Sequence, residues 1–246
     1  MRRGGKSPRL PGGGEGNSHR KEGRTMAKIE DPSCSECGQK NCYRHDTRYP
    51  GFCLTESLDP ALRQEVLDLY KGDGLDGRMA RASATVEGQY YGKLTRVEET
   101  LVFARKIGAK KIGVATCIGL IEEAKIFVDF LRLGGMETFT VLCKVGSIEK
   151  TEIGIPEDLK VKPGNYEACC SPILQAKLLN AKKTDLNVLV GLCVGHDSLF
   201  IRHSEAPVTV LIAKDRVMGH NPVAALYTAK SYSKRLFDAE RIKTLT

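Results

Sequence analysis

The 246-residue chain has no uninterrupted apolar run long enough to span a bilayer, and its Arg- and Gly-rich start has no apolar h-region. Neither a membrane helix nor a secretory leader is expected, and the expected compartment is the cytoplasm. The sequence also lacks the G-x-G-x-x-G fingerprint and the P-loop lysine, and it shows no catalytic triad or paired-carboxylate motif. No internal repeat of constant period is visible, which excludes solenoid and propeller architectures.

Charge of one sign is scarce outside a single segment. Residues 1–28 hold eight basic side chains against Glu15 and Glu22, a net of +6, and leave only +2 of the formal +8 for the rest. A nucleic-acid groove is therefore not expected on the body, whose Lys and Arg are interspersed with Asp and Glu as on a solvated surface. Residues 1–25 carry Leu10 as their one large apolar side chain, too little to offset the entropy of ordering, so a disordered basic tail is expected over 1–28. Met26 stands as an alternative translation start.

What the chain does have is cysteine, nine in all, together with 41% hydrophobic residues. An odd count in a reducing compartment argues against a disulfide framework and for thiolate chemistry. Four of the nine fall in Cys34-x2-Cys37-x4-Cys42-x10-Cys53, within a polar stretch that has too few bulky side chains for a core of its own. C-x2-C lets two thiolates on one tight turn reach one ion, and Gly38 permits the turn. Four thiolates suit structural zinc and equally an iron–sulfur cluster, so a small Cys-rich metal-binding element is expected over 29–57, with His45 as a spare ligand.

The remainder, 58–246, reads as an α/β domain. Asp59-Pro60 opens a helix to about Tyr70, and apolar residues at spacings of three and four predict helix from Leu75 to Ile107, broken at Gly88 or Gly92. Short apolar runs at 111–116, 138–143, 186–192 and 208–213 predict four strands, alternating with helices over 120–133, 171–183, 198–203 and 222–237. That alternation argues for a mostly parallel four-stranded sheet with helices on both faces, Rossmann-like or flavodoxin-like. The strand order is left open.

In such sheets ligands bind outside the carboxyl ends of the strands. Cys117 follows the first strand, Cys143 ends the second, and Cys193 follows the third in the turn Gly191-Leu192-Cys193-Val194-Gly195-His196. Cys117, Cys193 and His196 are accordingly the candidate residues of a second site for metal or a small anion, with Cys143 and the Cys169-Cys170 pair as further candidates. Cys193 and His196, three apart, suit metal ligation or a nucleophile pair. Each of these cysteines also has a plain reading as a small buried hydrophobe.

The segments CSECGQKNC, VGLCVGHDSLFIRHSEAPVTVLIAKDR and GHNPVAALY resemble an uncharacterised prokaryotic family of predicted metal-binding proteins, domain of unknown function eighteen forty-seven, over residues 33 to 237. The resemblance implies metal binding through cysteines and no reaction. Three functions follow as expectations. The first is a zinc or iron–sulfur protein with a redox or sensor role, partnered by a metal ion or cluster and by a small anionic ligand or redox partner. The second is a ligand-binding or hydrolytic α/β domain with structural zinc, and the third a nucleic-acid-associated zinc protein using the tail.

Overall fold

The computed structural model describes residues 30–44 and 46–245. The tail expected over 1–28 and the spare ligand His45 lie outside the described residues. The chain divides into two units, residues 1–63 and 64–246. In the first, a 3-10 turn (Cys34–Glu36) and the one-turn helix α1 (Asn41–Arg44) precede α2 (Pro60–Lys71), which crosses the division. Asp59 caps α2 by accepting the Ala61 N–H at 2.8 Å.

The second unit opens with α3 (Leu75–Tyr90) and α4 (Arg96–Ile107). Gly92, at φ +67°, breaks the helical run, and Thr95 restarts it through a capping box with Glu98. Then come β1 (Lys111–Thr116), α5 (Ile121–Leu133), β2 (Glu137–Leu142), α6 (Pro172–Ala181), β3 (Leu186–Val190), α7 (His196–His203), β4 (Val208–Ile212), α8 (Val223–Tyr227) and α9 (Ala239–Lys243). The four strands form one parallel sheet in the order β2-β1-β3-β4.

Successive residues of each strand point to opposite faces, and both faces are covered. Ile112, Val114, Val188 and Val190 pack with Ala104, Phe127 and Leu131 of α4 and α5. Ala115, Val141 and Leu189 face the other way, onto Ala176 and Leu179 of α6 and Phe200 of α7. The α/β class, the parallel sheet and the helices on both faces agree with expectation.

One helix departs from it. The helix read over 222–237 stops at Tyr227, because the Thr228 hydroxyl turns back to the Ala224 carbonyl and to Ser233, and Ser231 bonds the Thr228 carbonyl. Hydroxyl side chains here satisfy backbone groups that a continuing helix needs.

Candidate functional site

The expected N-terminal metal centre is corrected by the structure. Among the described residues no group of three or more His, Cys, Asp or Glu is arranged to hold a metal ion. Cys34, Cys37, Cys42 and Cys53 are all free thiols, spread over the 3-10 turn, α1 and the turn at Pro50, and Cys34 and Cys42 are exposed. Polar turns hold the segment instead: Ser33 and Glu36 form a capping box, Asn41 donates to the Arg48 carbonyl, and Asp46 pairs with Arg48 at 3.1 Å. Cysteine spacing set the range of each thiol but not its direction. Zinc and an iron–sulfur cluster as cofactors, a metal ion or cluster as partner, and the redox, sensor or structural-zinc functions built on them are withdrawn on this finding.

The carboxyl edge of the sheet is arranged differently. The connections leave β1 and β3 in opposite directions, so the crevice outside their carboxyl ends is the topological switch point where open α/β sheets place ligands. Cys117 follows β1 and Cys193 follows β3, on either side of that crevice. Cys117 is buried, packed in the cluster on the α6 and α7 face, whereas Cys193 and His196 are half-buried.

Between β2 and α6 the chain makes an excursion over 144–170 and returns to its starting point. Cys169 N–H donates to the Ile148 carbonyl at 2.7 Å, Lys150 N–H to the Glu167 carbonyl at 3.1 Å, and Ser171 N–H to the Cys143 carbonyl at 2.8 Å. Inside the loop the Lys160 ammonium, with its side chain 1% exposed, bonds Glu149 and, at 2.6 Å, Glu157. Those carboxylates hold Lys160 above the usual lysine range, and Lys160 holds both of them low. Replacing both with Gln leaves a buried ammonium without counter-charge. Hydrogen exchange of amides 148–169 in E149Q/E157Q is therefore expected to accelerate at least about tenfold; unchanged exchange would show that the excursion does not depend on this ion cluster.

Closing the neck sets Cys170 against Cys143. The neighbouring Cys143 thiol is the largest influence on Cys170 and pulls it down to about 5; the charges of Lys144 and His196 act in the same direction, against partial burial. The same neighbour, with burial, pushes Cys143 up, so of the two thiols Cys170 is the one whose ionisation is favoured. Ile118 N–H donates to the Cys143 sulfur at 3.3 Å, and Lys144 reaches the Ala168 carbonyl at 2.5 Å. Below them Gln175 donates to the Val141 carbonyl at 2.7 Å and the Thr116 carbonyl at 3.3 Å, tying together the ends of β2 and β1. Cys169 is buried, with Ser171 as its polar neighbour, and takes no part in the pair.

On the far side of the crevice the Arg216 guanidinium donates to the Cys193 sulfur at 3.2 Å. That bond raises Arg216 first, and the neighbouring Cys193, Cys117 and Cys170 sulfurs add to it. One guanidinium thus lies near three of the edge thiols, and His196 acts on Cys170.

Residues 53–211 match the profile of a family described as protein of unknown function (DUF1847). The chain belongs to this family. It is 41% identical over 207 residues to a protein of Methanocaldococcus jannaschii named uncharacterized protein MJ0455, covering 84% of this chain and 99% of that one. No solved structure matches. The DUF1847 match includes Cys117, Cys143, Cys170, Cys193 and His196 but leaves out Cys34, Cys37 and Cys42.

Sequence reasoning missed Lys144, Lys214 and Arg216. The available signal was the basic character of Ala213-Lys214-Asp215-Arg216 directly after the fourth strand, where a parallel sheet exposes its ligand edge.

Proposed function

We propose that this chain is a cysteine-nucleophile protein: Cys170 takes up a group from a small electrophile held at the carboxyl edge of the sheet. The reading is carried by the closed neck of the excursion, where Ser171 N–H bonds the Cys143 carbonyl and the neighbouring Cys143 thiol favours ionisation of Cys170. A lowered thiol beside positive charge, at the carboxyl edge of a parallel sheet, is an arrangement that nucleophilic cysteines use. In this reading the Cys170 sulfur forms the new bond and the leaving group departs with its electron pair. No proton is released, because the attacking sulfur is already ionised. Cys193 and His196 follow β3 at the same edge, and Cys117 follows the neighbouring β1.

Residues 58–246 carry the chemistry, while 1–28 and 29–57 are dispensable for it. No described helix is long and apolar enough to cross a membrane, and a standing thiolate suits the reducing cytoplasm.

The test is alkylation of the full chain by iodoacetamide across pH 4 to 10, with labelling of Cys170 followed by peptide mass spectrometry. A thiol reacts only once ionised, so the rate is expected to reach half its plateau near pH 5, and a chain beginning at residue 58 is expected to give the same profile. A midpoint near the free-cysteine value of about 8.5 would remove the nucleophile from the proposal.

A further inference from the structure

We infer that the electrophile taken up at this edge is a small anion bearing a carboxylate or phosphate group, with Lys214 and Arg216 as the groups that receive its charge. The inference rests on the nucleophilic reading of Cys170 and adds the substrate class.

Lys214 follows β4 and its side chain runs back over the ends of β1 and β3. Its ammonium lies 3.1 Å from the place a Cβ on Gly119 would occupy, and its stem passes 3.6 Å from the corresponding place on Gly191. A Cβ on Gly119 would crowd the ammonium, whereas the stem passes Gly191 at ordinary contact distance, so the first of these turns leaves room for the lysine. Gly119 adjoins Ile118, whose N–H contacts the Cys143 sulfur, and Gly191 precedes Cys193 by two residues. The ammonium therefore sits at the same carboxyl edge as Cys143 and Cys193, beside the turn that follows β1.

None of the three cations here is neutralised by a carboxylate. Among the described residues no acidic group lies within ion-pair distance of Lys144, Lys214 or Arg216. The two acids of the flanking turns are engaged by backbone: Asp197 accepts the Ser198 N–H, and Asp215 accepts the N–H groups of Val217 and Met218. Lys144 spends a donor on the Ala168 carbonyl and Arg216 spends one on Cys193, whereas Lys214 makes no hydrogen bond among the described residues. Lys144 has the Cys170 sulfur beside it, whereas Lys214 and Arg216 have no carboxylate partner among the described residues, and such cations raise the local concentration of anions and orient them. Arg216 retains planar donors suited to a carboxylate or phosphate.

The chemical step balances without a further reagent. The Cys170 thiolate forms a bond to the electrophilic carbon of the anion, the bond from that carbon to its leaving group breaks, and the leaving group carries away the electron pair.

Two reagents that deliver the same methylene and release the same iodide test this. Iodoacetate is an anion and iodoacetamide is neutral. The full chain is treated with each at pH 7.5 and low salt, and labelling is read at Cys170 and at exposed Cys34 as internal reference. The ratio of iodoacetate to iodoacetamide rates at Cys170 is expected to exceed that at Cys34 by about tenfold. It is expected to fall toward the Cys34 value in K214A, in R216Q, and for the unsubstituted chain in 1 M salt, where the screening length is about 3 Å. Equal ratios at Cys170 and Cys34 would overturn the anion inference even where iodoacetamide labels Cys170 with a low midpoint. Slow iodoacetamide labelling with a high midpoint would instead overturn the nucleophile itself.

Discussion

In Cys143→Ala the pH midpoint for alkylation of Cys170 is expected to rise from near 5 toward the free-cysteine value of about 8.5. The Cys143 thiol is the largest influence lowering Cys170, ahead of Lys144 and His196, so its removal should restore most of the shift. At pH 6 the wild-type sulfur is mostly ionised while that of the variant is mostly protonated. The labelling rate there should drop on the order of 50-fold and recover at high pH. Cys143→Ser retains an O–H donor, and its midpoint should fall between the two. A purely structural role for Cys143 would change the extent of folding, not the midpoint. Identical midpoints in wild type and C143A would therefore dismiss the thiol–thiolate pair.

The second large effect lies in the centre of the sheet. Gly113 stands opposite Asn187 on the neighbouring strand, and a Cβ at residue 113 would lie 2.0 Å from the Asn187 Oδ1 and 3.0 Å from the Leu179 side chain. Asn187 is fully buried, accepts from Thr184 at 2.8 Å and donates to Ser204 at 2.8 Å. Gly113→Val must displace Asn187 and break both bonds. Overpacking costs about 1–3 kcal/mol and each stranded polar group about 1–3 kcal/mol more, so a loss of about 4 kcal/mol is expected by urea unfolding. A change under about 1 kcal/mol would mean that the sheet accommodates the side chain by a shift of β3. Because α6 packs over the same place, loss of the Asn187 contacts should also loosen the helix that follows Cys170.

Much of the fold was legible because its signals are local. The run 111–116 has the same limits in sequence and structure, since a strand buried on both faces reads as continuous apolar residues between polar ends. The break near Gly92 was legible as well, because glycine enters the left-handed region there without a Cβ penalty. The 222–237 helix was misread because apolar spacing does not reveal that Thr228, Ser231 and Ser233 turn their hydroxyls onto the backbone. The four N-terminal cysteines were misread for a related reason. Spacing bounds how close their sulfurs can come, but a shared ion also requires convergent directions, and the intervening turns do not supply them.

The sequence by itself determined which residues form the strands and, with that, which cysteines stand at their carboxyl ends, because strand boundaries follow from hydrophobic runs and a parallel sheet has only one ligand edge. Only the tertiary structure decided that β1 and β3 are neighbours, that the 144–170 excursion closes on itself and brings Cys170 to Cys143, and that Arg216 reaches Cys193. Strand order and loop closure depend on contacts between residues far apart in the chain. The charge on a thiol depends on distances of a few ångströms across those contacts, and neither leaves a local mark in the sequence.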